Sequence, residues 1–316
     1  MQYKKYLNFF RIILIIYVIS FLSFEAYFNF NKISDKINSN FYNILFIILI
    51  HFFHHNFLSL RMYLVFKEGL NKFISYFSWL KIFFESLGLN LLLSHSGSIY
   101  RAVELKKNGI KYRDFLSFFY LLFFSYVFTN MIFIYIEFLI LLESTSDFKL
   151  LYFLLLAVIL ILFIFLPKIL LMTIDLIKNF NNNYFLNFYE MAYEAYAFTL
   201  KIFLNFKIIV ILFIMGFVNH FFEILLFYLS CNIFLGNIDP NMFLFLFAVN
   251  FLLDRIPFIK DIPGFSEIIF ASISLPLGFD FTLSLFAKLL LRFSGILSIL
   301  INYFITMLYS KKIQTS

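Results

Sequence analysis

Three groups of residues in this chain have the types and spacing to do chemistry. The first is Gly97-Ser98 followed by Arg101. A Gly turn that opens a helix leaves backbone N–H groups free on the first turn, and the positive end of the helix dipole favours an anion there. Arg101 adds a guanidinium, whose fork of N–H donors suits a phosphate. The second group is Gly264 with Glu267, a similar turn carrying a carboxylate. Glu267 reads as a partner for Arg255 or Lys260, or as a carrier of a proton. A turn-stabilising capping role accounts for the same residues with less chemistry. The third group consists of ionisable residues inside apolar stretches: Glu223, with Asn219 a turn before it and His220 close by, and Lys288 and Arg292, four apart and so on one helix face. Charges at such depth cost a few kcal/mol and usually face a cavity or a partner. The expectation is that Glu223 and Arg292 or Lys288 line one polar cavity; a purely structural ion pair is the plainer alternative.

Other candidates carry less. His51, His54 and His55 invite a metal, and His51 and His55 lie one helical turn apart, but no Cys and no nearby carboxylate joins them. Asp254-Arg255 reads as a local salt bridge, and Glu25 as a side chain reaching an interface. The single Cys231 excludes an internal disulfide and a cysteine-built metal site. No hydrolase elbow, phosphate-binding P-loop, dinucleotide fingerprint or zinc-protease signature is present. No metal or other cofactor is expected.

The elements that must position these residues are membrane helices. Of 316 residues, 63% are hydrophobic and 14% charged, and the mean hydropathy is +0.92. Soluble domains carry roughly 45–50% apolar residues, and no water-soluble fold of this size hides that much more. Soluble enzymes, nucleic-acid binders and secreted disulfide scaffolds are thereby excluded. The 52 Phe and 20 Tyr fit an A+T-rich codon bias filling apolar positions better than an aromatic recognition surface. Roughly 20 apolar residues cross the hydrocarbon core, which gives spans at about 7–30, 41–60, 114–142, 150–171, 202–235 and 281–308. The first reads as an uncleaved span, because Glu25, Tyr27 and Phe28 stand where a signal-peptide cleavage site would be. The stretch 175–201 reads as a surface-lying amphipathic helix or a solvated connector in equal measure.

Two apolar stretches do not fit a single span. One, 73–93, is interrupted by Lys81, Glu85, Gly88 and Asn90; the other, 242–279, is broken around Asp254, Arg255, Pro257, Lys260 and Pro263. Basic residues cluster before the first span (Lys4, Lys5, Arg11), after the second (Arg61, Lys67, Lys72), before the third (Arg101, Lys106, Lys107, Lys111, Arg113), around the link from the fourth to the fifth (Lys168, Lys178, Lys201) and at the end (Lys311, Lys312). The opposite side receives Lys32, Lys36, Lys149, Arg255 and Lys260. That bias places both termini in the cytoplasm. It also puts both flanks of 73–93 on the cytoplasmic side and both flanks of 242–279 outside, so each stretch is expected to be a re-entrant hairpin buried in protein. The fold class expected is all-α, about six full spans plus two re-entrant hairpins, in a single transmembrane domain over 1–316. Each half (about 1–142 and 150–316) crosses the membrane an odd number of times, so the second lies inverted relative to the first, an arrangement found in secondary transporters.

The stretch from Asn90 through Ser94-His95-Ser96-Gly97-Ser98-Ile99-Tyr100-Arg101-Ala102 to Tyr112-Arg113-Asp114 resembles the first motif of the lysylphosphatidylglycerol synthase transmembrane-region family, the flippase-like domain proteins. Ile262-Pro263-Gly264-Phe265-Ser266-Glu267, followed by Leu277-Gly278 and Arg292, looks like the second motif. Departures include His95 and Ser98, where family members commonly carry Arg and a carboxylate, and Phe265 in place of a second Gly. The resemblance implies movement or handling of an anionic phospholipid or lipid-linked glycan across a bacterial or archaeal cytoplasmic membrane, without the lysyl-transfer domain of two-domain relatives. With the intramembrane charges Glu223 and Lys288 added, the candidate substrate contacts are Gly97, Ser98, Arg101, Gly264, Glu267, Glu223, Lys288 and Arg292. Transport is expected rather than catalysis. The rivals are a membrane-embedded glycosyl or lipid-headgroup transferase, which needs a carboxylate pair or Asp cluster, and a scaffold of envelope-glycan assembly. Partners are lipid or lipid-linked glycan and not nucleic acid, with homo-oligomers and envelope-assembly proteins left open.

Overall fold

Long apolar runs without strand-length alternation leave the helix as the way to satisfy the backbone in lipid. The computed structural model describes residues 16–70, 73–92, 96–141, 205–254, 262 and 264–314. All regular structure among the described residues is helical, with no strand. The helices are α1 (Ile16–Phe28), then α2 (Phe30–Ser39), α3 (Phe41–Gly69), α4 (Tyr76–Leu92), α5 (Ser96–Lys107), α6 (Tyr112–Leu141), α7 (Phe206–Leu235), α8 (Pro240–Leu253), α9 (Phe265–Ser274) with a 3₁₀ turn Leu275–Leu277, and α10 (Phe281–Gln314). Among the described residues, three segments are long and apolar enough to cross a membrane, Phe41–Gly69, Phe206–Leu235 and Phe281–Leu308; Ile16–Phe28, Pro240–Leu253 and Phe265–Leu277 are apolar but shorter. The described structure is thus all-helical, with three candidate membrane spans. The expected span at 150–171 and the expected surface helix at 175–201 lie outside the described residues, as does the start of the first span.

Two local readings change. The second span was expected to stop at 60, before Arg61, yet α3 continues to Gly69. Arg61 is buried inside the helix, with its NH2 group donating to Ser125 Oγ at 2.9 Å and its guanidinium 5.9 Å from the Tyr126 ring centre. A polar partner on another helix is what lets the helix carry this charge onward. Likewise α4 runs unbroken through Lys81, Glu85, Gly88 and Asn90. Lys81 is exposed, and the other polar groups have local partners described below.

Helix starts follow local rules. Asp239 caps α8, accepting from the N–H groups of Asn241 and Met242, with Pro240 at the first helical position. Gly264 precedes α9 with φ +85°, a left-handed conformation that side chains resist.

Contacts divide the chain into two compact units, residues 1–53 with 222–298 and residues 54–221 with 299–316, the division falling inside α3, α7 and α10. In the unit of 54–221 and 299–316, α4 packs on α5 over an aromatic core. Phe66, Trp79, Phe83, Phe84, Phe115 and Phe118 are buried in it with Leu105, Leu121 and Ile208. Phe66 lies 4.7 Å from Phe118 and 5.5 Å from Trp79, ring centre to ring centre. In the unit of 1–53 and 222–298, Ile33, Ile47, Ile50, Leu226, Ile233, Phe234 and Leu290 form one core. Phe227 joins α7 to α8 and α9 through Phe247 and Phe270, at 5.6 and 5.8 Å.

Candidate functional site

The α4–α5 pair is built for close approach. A Cβ at Gly97 would overlap the Ser86 carbonyl and crowd the Asn90 side chain. The turn is held by polar contacts from both helices. Gly97 N–H donates to Asn90 Oδ1 at 2.8 Å, and the Ser96 hydroxyl donates to the Leu89 carbonyl at 2.8 Å. One of the N–H groups that the sequence left free for an anion is therefore already taken by Asn90. Ser98 is half-buried on the same turn. The Tyr100 hydroxyl donates to Glu85 on α4.

Arg101 is set among these groups at 6% exposure. Its NH1 group donates to Met62 Sδ at 3.5 Å, and the guanidinium lies 5.7 Å from the Phe83 ring centre. Its Nε is buried without a hydrogen-bond partner. No carboxylate among the described residues pairs with it. A sulfur and a ring face are weak substitutes for water around a guanidinium, and a buried charge without a counter-ion is costly. The arrangement can accept an anion. Trp79 lies 5.8 Å from the same Phe83 ring, tilted by 41° to it, its indole N–H donating to the Ser59 carbonyl at 2.9 Å.

The other unit carries ion pairs. Glu267 sits on the first turn of α9 at 1% exposure, where an acid also favours the helix dipole. Arg292 on α10 donates to it at 2.6 Å, and the Ser266 hydroxyl donates to its other oxygen at 3.0 Å. One turn earlier on α10, the buried Lys288 donates to Asp254 Oδ1 at 2.7 Å and to Asn250 Oδ1. Arg292 therefore binds α9, and Lys288 binds the end of α8. Glu25 on α1 accepts from Asn29 at 3.1 Å and from Thr282 on α10 at 2.9 Å. His51 meets the Ser294 hydroxyl at 2.9 Å. Glu223 is half-buried on α7 in this unit.

Arg292 meets Glu267 and Lys288 meets Asp254, partners that the sequence reading did not name. The pairings expected of Glu267 with Arg255 or Lys260, and of Asp254 with Arg255, involve residues that the structure does not describe. Arg255, Lys260, Pro263 and His95 lie outside the described residues. The sequence reading missed Asn250 and Asp254 as the acceptors for Lys288, Tyr100 as the partner of Glu85, and Asn90 as the acceptor for Gly97. A matched-spacing signal was available: Asn250 and Asp254 are four apart on α8, as Lys288 and Arg292 are on α10.

Further polar pairs are buried in the unit of 54–221 and 299–316. His54 Nε2 meets Asn219 Oδ1 at 2.9 Å, His220 Nδ1 meets Asn130 Oδ1 at 2.6 Å, and Asn56 donates to Asn302 at 2.6 Å. These join spanning helices through side-chain amides, a common device where apolar surface gives no drive to associate. His54 and His55 stack at 5.8 Å. Of the eight residues singled out in the sequence, Gly97, Ser98 and Arg101 stand together on α5. Glu267 and Arg292 meet between α9 and α10, Lys288 meets Asp254 at the end of α8, Gly264 precedes α9, and Glu223 lies on α7 of that same unit. Compared with known proteins, the chain matches no family model, no curated protein and no solved structure.

Proposed function

We propose that this protein is a flippase-like carrier that moves or handles an anionic phospholipid or lipid-linked glycan across the cytoplasmic membrane. The observation that carries this reading is Arg101, a guanidinium enclosed by Met62 and Phe83 with no carboxylate among the described residues to neutralise it. A charge held this way is expensive to keep unless a ligand meets it. The resemblance of the 90–114 and 262–292 stretches to the flippase-like motifs points to the same substrate class. In this reading the chain has six spans and two re-entrant hairpins, α4–α5 and α8–α9, arranged as an inverted repeat with both termini in the cytoplasm. The headgroup passes through a polar groove while the acyl chains stay in lipid. Gly97 and Ser98 shape the anion turn with Arg101, and Gly264, Glu267, Glu223, Lys288 and Arg292 supply the polar lining of the other half. The test is reconstitution into liposomes with labelled phosphatidylglycerol and labelled lipid-linked glycan, scoring transbilayer movement. Arg101→Gln should lower movement at least tenfold in protein that still inserts. Movement unchanged in this variant removes the carrier reading and favours a scaffold of envelope assembly.

A further inference from the structure

We infer that the Arg101 site selects a singly charged, weakly hydrated oxyanion, a phosphodiester, and rejects a phosphate dianion. This rests on reading Arg101 as an anion anchor and adds the charge class of the ligand. Two features on α3, α4 and α5 carry it. The cation is single, and it is buried to the extent that its Nε has no partner. Its surroundings are soft and dry, a thioether from Met62 and the ring of Phe83.

Each feature acts in the same direction. The cost of removing an ion from water rises with the square of its charge, whereas its attraction to one guanidinium rises only in proportion. A dianion entering a site whose cation lies against a thioether and a ring therefore loses more than it gains. A diester such as a phospholipid headgroup carries one charge and spreads it over two oxygens, which two guanidinium N–H groups can meet. The diester could come from a lipid or from a soluble headgroup, and the experiment separates these.

Trp79 provides the readout. It is the one Trp of the chain and lies against the Phe83 ring that Arg101 covers, 5.8 Å between ring centres. Full-length protein in detergent is titrated with dihexanoyl phosphatidylglycerol, with glycerophosphoglycerol and with inorganic phosphate at pH 8.5, following Trp79 emission with calorimetry in parallel. The diesters should saturate, with phosphate at least tenfold weaker. Tighter binding of the lipid than of its bare headgroup identifies a lipid source, and equal binding a soluble one. Arg101→Gln, checked for unchanged Trp79 emission without ligand, should weaken the diester at least tenfold. Phosphate binding as tightly as the diester while Arg101→Gln still weakens both overturns the charge selectivity and leaves the anchor standing. Diester binding that Arg101→Gln does not change, or no response of wild-type protein in either measurement, overturns both.

Discussion

Glu267 and Arg292 show what a buried pair demands of its neighbours. Removing one partner of such a pair leaves an uncompensated charge, at a cost of about 3–5 kcal/mol. Glu267→Gln should sit near the lower end, because Arg292 keeps 30% of its side chain exposed; thermal melting in detergent measures it. Replacing both residues with Met should recover part of that loss, and failure to recover would mean that the partners act separately. At the surface, Asp280 accepts from Lys32 at 2.6 Å. Partial burial pushes the Asp280 carboxyl up, but the Lys32 ammonium and the N–H groups of Leu283 and Thr282 outweigh it and hold the carboxyl below its ordinary 3.8. A depressed carboxyl contributes stability above its unfolded value and loses it as the pH falls through the folded one. The gap in melting temperature between wild type and Asp280→Asn should therefore be constant above about pH 5 and close below pH 4. It should be small, since both side chains are more than a third exposed. The residue types were legible because charge in an apolar run stands out. The partners were not, since Lys288 and Asp254 are 34 positions apart and only folding brings them together.

At the scale of elements, the α4–α5 pair depends on the absence of a side chain at one place. Gly97→Ala should destabilise the protein by about 1–3 kcal/mol, because the new methyl meets backbone rather than a side chain that can turn away. Gly88→Ala is the control: a Cβ at Gly88 meets nothing within 4 Å. The helix should gain about 0.5–1 kcal/mol from it. Equal melting temperatures for the two variants would show that the helices are not held this close. The long helices were legible from apolar length, and α6, α7 and α10 fall within a few residues of their expected bounds. The ends of α3 and α4 were less so. A sequence shows Arg61, Glu85 or Asn90 as an interruption, because it does not show the Ser125 hydroxyl, the Tyr100 hydroxyl or the Gly97 N–H that meets each one.

For the whole molecule, the proposed topology makes a prediction about sides. Cysteines placed at the exposed Lys67 and Lys107 in a Cys231→Ser background should be labelled by a membrane-impermeant reagent from the same face, and one at Lys32 from the other. Labelling of positions 67 and 107 from opposite faces would mean that α4 crosses the membrane, and the inverted repeat would be lost. The arrangement of α10 bears on how such a molecule comes apart. Lys288 and Arg292 fasten different segments, α8 through Asp254 and α9 through Glu267, from neighbouring turns of a single rod. Each fastening can fail without the other. Neutralising Glu267 would release α9 while α8 stayed moored, so the two helices can part from α10 in sequence rather than as a block.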